Sequence, residues 1–194
     1  MMLVTHTRFA PLEHRRHLAG FTLVELMITV LVLSILLGLA VPAFRSFMQN
    51  DQQLVQQNNL VLSLNTARSE AIKNDLPGGV QVCSSTDGAT CTGTPWEQGW
   101  IVRPSVNVFG VGAPKPIQTI GALPPGTTLT ATPNNTTLSF LSNGALTPAA
   151  AVAFKMCDVR GAAFARYLQV TPMGRVVAAQ TVGKDLNNVA LTCP

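Results

Sequence analysis

Three regimes of hydrophobic and polar positions follow one another along the 194 residues. The first runs from Phe21 to Val41, where side chains are apolar or small apart from one charge, Glu25. At the rise of an α-helix this run spans about 30 Å, the thickness of a bilayer's hydrocarbon core, so it predicts a membrane-crossing helix. An acid five residues into such a helix costs a few kcal/mol unless it stays near the interface or meets a partner. Glu25 is therefore a candidate functional residue rather than a tolerated one.

After Pro42 the pattern becomes one-sided. Phe44, Phe47, Met48, Leu54, Val55, Val61 and Leu62 recur at near-heptad spacing, while Leu60, Leu64, Ala67 and Ala71 fall at i, i+4, i+7 and i+11. Between them lie glutamines, asparagines and Asp51. This periodicity predicts that the helix continues to about Asn74 as an amphipathic segment whose apolar stripe packs on its own domain. Leu76-Pro77-Gly78-Gly79 then stops it, because proline cannot continue a helix and glycine accepts the left-handed conformation that ends one.

From Gly79 onward the period drops to two. Short β-type runs at Val80 to Cys83, Gly99 to Arg103, Ile117 to Ile120, Thr127 to Ala131, Thr136 to Phe140, Val152 to Met156, Ala165 to Thr171 and Val176 to Gln180 alternate with proline, glycine and asparagine breaks. Asn143-Gly144 is the best candidate for a tight type I′ hairpin, which needs positive φ at both central residues. Thr86 to Thr94 and Gly110 to Pro116 read as surface loops. The fold class that follows is α+β: a long N-terminal helix packed on a C-terminal antiparallel β-sheet or β-sandwich.

Composition narrows the chemistry. All three histidines, His6, His14 and His17, precede the apolar run. The remainder has neither the commonest general base nor the commonest metal ligand. Carboxylates beyond the helix are few and none is close to another in sequence. No enzyme, metal or cofactor is expected. The chain has 13 basic and 9 acidic residues; without Arg8, Arg15, Arg16 and Glu13 of the first 20, ten basic and eight acidic remain, a net +2. Charge alone therefore points to no nucleic-acid partner.

Gly20-Phe21-Thr22-Leu23-Val24-Glu25-Leu26 ahead of an apolar helix resembles the processing site of the type IV pilin and type II secretion pseudopilin family. The resemblance implies that a prepilin peptidase cuts between Gly20 and Phe21, that Phe21 becomes N-methylated, and that Glu25 pairs with the amine of a neighbouring subunit. Pro42 falls where many family members have a helix-kinking proline. A secretory signal, by contrast, has a shorter apolar region with its small residues after it. The domains implied are a leader over 1–20, an assembly helix over 21–42, an amphipathic helix over 43–76 and a β-rich domain over 77–194. The leader departs from the family pattern in its length and in Ala19, where a basic residue is usual. Its arginines hold it on the cytoplasmic side of the inner membrane, which puts the domain outside, on the periplasmic side, before entry into a filament. The partners implied are the peptidase, other pilins or pseudopilins and the inner-membrane assembly platform.

The four cysteines, Cys83, Cys91, Cys157 and Cys193, lie in the domain and form no CxxC pair. They admit three pairings. Cys83 with Cys91 and Cys157 with Cys193 is the favoured one, the longer loop contributing about 3–4 kcal/mol in the chain-entropy model; an oxidising compartment favours bonds over thiols.

Cys157-Asp158-Val159-Arg160-Gly161 and Gly174-Arg175-Val176 resemble the GspH/FimT branch of the family. Some of its minor pilins bind DNA through a Gly-Arg-x-Arg motif in this region, and here Val177 stands in the second arginine's place. Arg160, Arg166 and Arg175 are accordingly candidate DNA contacts, with ordinary structural roles as the alternative. Trp96, Trp100 and Tyr167 are either base-stacking or core residues. Three functions remain open: a minor pilin supporting assembly of a type IV pilus, a minor pseudopilin of a type II secretion system, or a DNA-binding minor pilin for uptake.

Overall fold

A computed structural model of the protein describes residues 20–75, 78–106 and 114–194. The leader to Ala19 and the expected loop at 110–113 lie outside them. Among the described residues one α-helix, α1 (Leu23–Asn74), contains Pro42 and is followed by nine strands. These are β1 (Val80–Ser84), β2 (Trp100–Pro104), β3 (Gln118–Ile120), β4 (Thr128–Thr132), β5 (Thr137–Phe140), β6 (Leu146–Thr147), β7 (Val152–Cys157), β8 (Arg166–Val170) and β9 (Val176–Ala178). Eight of them are the β-type runs expected; β6, only two residues long, has no period to reveal it.

The strands form two antiparallel sheets, ordered β3-β2-β1-β5-β6 and β4-β7-β8-β9. The chain divides into two compact units, up to Arg45 and from Ser46 onward. Within the second unit, α1 buries Gln53, Gln57, Leu60, Leu64, Ala67 and Ala71, spaced by three and four so that they share one face. In the first sheet the register pairs Val82 with both Val102 and Leu138, and Val80 with Phe140. These side chains face inward with Trp100. In the second sheet the inward set is Leu129, Phe154, Met156, Leu168 and Val170. Helix face and both sheets thus close on one core. Inside it the Trp100 indole N–H donates to Ser63 Oγ at 3.0 Å, and that hydroxyl donates to the Asn59 carbonyl of the preceding turn. Trp96 meets Phe154 edge-on at 5.0 Å. Both tryptophans are therefore core residues.

One expectation about α1 is corrected here. Of the near-heptad set only Val61 packs against the core: Phe44, Phe47, Met48, Leu54, Val55 and Leu62 are exposed, Phe47 at 64% and Leu62 at 56%. The buried face is the Leu60-Leu64-Ala67-Ala71 series, prolonged by two glutamines where the sequence offers leucines and phenylalanines on the other side.

The hairpin turn is also corrected. Between β5 and β6 Gly144 has φ +78°, but Asn143 is not in the left-handed region, so the turn is not type I′. The Gly144 N–H donates to the Leu141 carbonyl and the Leu141 N–H to the Ala145 carbonyl, a type I turn closed by a left-handed glycine. Asn143 instead uses its side chain, accepting from the Ala145 N–H at 3.0 Å. The β8–β9 connection repeats the arrangement at Thr171–Arg175, with Gly174 at φ +73°. The two turns touch: a Cβ on Gly174 would lie 2.0 Å from the Gly144 carbonyl oxygen, and the Leu146 N–H donates to the Pro172 carbonyl. The Arg68 guanidinium of α1 donates through Nε to that same Gly144 carbonyl at 3.2 Å.

Disulfides join Cys83 to Cys91 and Cys157 to Cys193. The first loop lies over Cys83 and Ile101, which are fully buried although they point away from the main core. Asp87 organises it, accepting from Ser85 Oγ, the Ala89 and Thr90 amides and Thr90 Oγ1. Those donors, Thr90 foremost, hold its carboxyl well below the usual carboxylate range. The second bond secures the C-terminal segment, where Lys155 Nζ also donates to the Thr192 carbonyl.

Two outcomes are expected. Ser63→Ala leaves the buried Trp100 N–H without an acceptor and lowers unfolding free energy by about 1–3 kcal/mol in denaturant titrations of the detergent-solubilised protein. A carboxyl whose folded pKa is depressed stabilises above its unfolded value and loses that contribution as pH falls through the folded one. Asp87→Asn should therefore be less stable than wild type at neutral pH, and the difference should shrink below about pH 4.

Candidate functional site

In the first unit, Gly20 and Phe21 precede α1, and Phe21 is 80% exposed. Thr22 caps the helix: its Oγ1 accepts from the Glu25 N–H at 3.2 Å and its carbonyl from the Leu26 N–H. Thr22-Leu23-Val24-Glu25 has the spacing of a capping box, a signal legible in the sequence that the reading of Glu25 as an isolated acid passed over. The hydroxyls inside the apolar span satisfy themselves, Thr29 on the Leu26 carbonyl and Ser34 on the Leu31 carbonyl. The Glu25 carboxylate is exposed and accepts no hydrogen bond among the described residues. It is the one charged group of the span. Pro42 lies inside the helix, where it has no N–H to give the Gly38 carbonyl.

In the second unit the three candidate arginines separate. Arg160, in the connection between β7 and β8, is consumed by structure. Its Nε and one terminal nitrogen grip Asp158 Oδ2 at 2.8 and 2.6 Å, and its backbone N–H takes Asp158 Oδ1 at 2.9 Å. The other terminal nitrogen donates to Asn50 Oδ1 at 2.7 Å and the Ser46 carbonyl at 3.4 Å, both on α1. The guanidinium also lies over Phe164, 4.3 Å from its ring centre. Arg166 opens β8 and turns inward, donating to Gln57 Oε1 of α1 at 3.4 Å. Burial, and then the charge of Arg160, lower its pKa from the ordinary guanidinium value. Arg175 stands exposed at the opposite end of β8, about 16 Å of strand from Arg166. The structure thus brings Arg160 and Arg166 together on the flank of α1 and leaves Arg175 apart. Tyr167 is half-buried, and burial followed by the Asp185 charge raises its phenol pKa.

Sequence reasoning missed Arg68, which ties α1 to the paired glycine turns, and the acceptors Asn50 and Gln57. Nothing local marks them, since their partners lie 76 to 110 residues away.

Arg160→Ala is expected to cost about 2–3 kcal/mol, because it leaves the largely buried Asp158 carboxylate without its cation. Arg160→Lys should restore only part of this in thermal denaturation, since lysine cannot offer the two-pronged fork.

The family comparisons agree with this anatomy. The profile described as Type II transport protein GspH matches residues 56–174, and that of the prokaryotic N-terminal methylation motif matches residues 15–41. No curated protein sequence matches the chain. Among solved structures, the type IV minor pilin FimU of Pseudomonas aeruginosa PAO1 is similar in two crystal forms. In one the TM-score is 0.53 at 20% identity, covering 70% of this chain and 98% of that one. In the other it is 0.49 at 21% identity, covering 62% and 87%. A long N-terminal helix on two antiparallel sheets, a methylation motif that runs into the first half of that helix, and a domain profile that matches more than half of the chain place it in the GspH family of minor pilins and pseudopilins.

Proposed function

We propose that the chain is made as a membrane-anchored precursor, cut between Gly20 and Phe21 by prepilin peptidase, N-methylated on Phe21, and incorporated as a minor subunit into a type IV pilus. Its role there is structural: it supports assembly of the filament and the functions that depend on it. The observation that carries this reading is the two-faced helix. Over Gln53–Ala71 one face of α1 is spent on the domain, while Phe47, Met48, Val55 and Leu62 remain exposed around the helix. An apolar surface of that extent is a binding surface rather than a solvated one. In a filament, α1 helices of neighbouring subunits cover it. Glu25, without a partner among the described residues, gains a neighbour's amine there and loses the cost of standing in lipid as an acid.

A second reading, supported by the description of the matching family as a type II transport protein, places the subunit in the pseudopilus of a secretion system. The two separate in a deletion strain: loss of surface pili with normal release of exoproteins supports the pilus, and the converse supports the pseudopilus.

Glu25→Val should leave processing intact, with the new N-terminus at methylated Phe21 in mass spectra, while immunoblots of sheared filaments lose the subunit by roughly tenfold or more. Wild-type incorporation of that variant would remove the proposed part of Glu25.

A further inference from the structure

Arg166 has more hydrogen-bonding capacity than the described residues satisfy. In the ladder it stands opposite Met156, so it shares the inward face of the sheet with Leu168 and Val170. Its Nε is inaccessible and has no acceptor among the described residues. One terminal nitrogen reaches Gln57 Oε1 at 3.4 Å, at the long limit of a hydrogen bond. A guanidinium has five donors, and a partly buried one is ordinarily matched by an acid. Asp158, in the connection that precedes β8, is held by Arg160, and theirs is the one salt bridge among the described residues. That carboxylate is thus committed to Arg160, and burial with the charge of Arg160 disfavours the ionised form of Arg166.

The surroundings are those of an interface. Gln57 is neighboured on the helix at i−3 by Leu54, 42% exposed, and at i+4 by the half-buried Val61. An arginine anchored at its stem, open at its fork and bordered by exposed aliphatic surface is the composition of a binding hot spot.

We infer that Arg166 is the receptor for a carboxylate side chain of a neighbouring filament subunit, which approaches beside Leu54 and Val61 and completes the ion pair that this chain leaves open. The inference rests on the assembly reading above and names the chemistry of one contact within it. A planar, two-pronged carboxylate fits the guanidinium fork, and the surrounding apolar side chains exclude water from the pair once the subunits meet.

Sheared filaments from cells producing Arg166→Lys, treated with a water-soluble carbodiimide that condenses amines with adjacent carboxylates, supply the test. The introduced lysine should be recovered by peptide mass spectrometry in an amide with an aspartate or glutamate of another subunit. Arg166→Gln should enter filaments about tenfold less than wild type. Its melting temperature in detergent should be unchanged or higher, since an uncompensated buried charge is removed. Cross-linking confined to Asp158 of the same chain, wild-type incorporation of Arg166→Gln, or a melting temperature lowered by several degrees would each overturn the inference in favour of a role within the chain. Absence of the wild-type chain from sheared filaments would instead overturn the assembly reading, and this one with it.

Discussion

The domain depends on one helix face being shared by two sheets. Neither sheet covers its own apolar side: the first presents Val80, Val82, Trp100 and Val102, the second Leu129, Phe154, Leu168 and Val170, and both close against Leu60, Leu64, Ala67 and Ala71. Ala67 and Ala71 add little volume there, and the bulk comes instead from Trp100, whose indole N–H is satisfied by Ser63 on the helix itself. A polar group at the centre of an apolar core is tolerated because it is paired, and the pairing fixes the rotation of the helix about its axis. Arginines secure the periphery, Arg68 at the stacked glycine turns and Arg160 at the β7–β8 connection. Guanidinium suits both tasks, since its rigid fork reaches several oxygens in set directions.

Periodicity made most of this visible in advance. Helix and strands differ in period, and the eight longer strands were legible for that reason. Two things were not. The post-membrane half of α1 carries two helical-period apolar series, Phe47-Met48-Val55-Leu62 and Leu60-Leu64-Ala67-Ala71. Period alone does not say which is buried. The decision is made by the sheets' shape and is visible only in the burial of Gln53 and Gln57. The second illegible feature was turn chemistry at Asn143-Gly144, where the dipeptide suits a type I′ turn. The chain adopts a longer loop that aims the Gly144 carbonyl at Arg68. For the candidate site, the sequence marked Glu25, the cysteines and the arginines. It was silent on how the arginines divide, because Asn50 and Gln57 are distant in the chain and ordinary in type.

The division of α1 into a face spent on the domain and a face left open connects stability to assembly. Residues on the inner face set whether the domain folds, and residues on the outer face are free to be apolar without affecting that fold. Exposed Phe47 and Leu62 would be a liability in a freely diffusing protein. They are suited to one that passes from a lipid environment into a helical array of like subunits. Glu25 follows the same logic with opposite polarity, disfavoured in lipid and favoured beside an amine.

Pairing every cysteine in a disulfide has a consequence for the conditions under which such a protein works. From Gly20 onward there is no histidine, and with the thiols removed no side chain is left whose ordinary titration falls between those of the carboxylates and those of tyrosine and lysine. A gap of about four units of pH, from mildly acid to mildly alkaline, therefore holds no side chain's ordinary pKa. A filament built from such subunits would owe any response to acidity near neutral pH to the α-amino groups at its subunit joints rather than to its side chains.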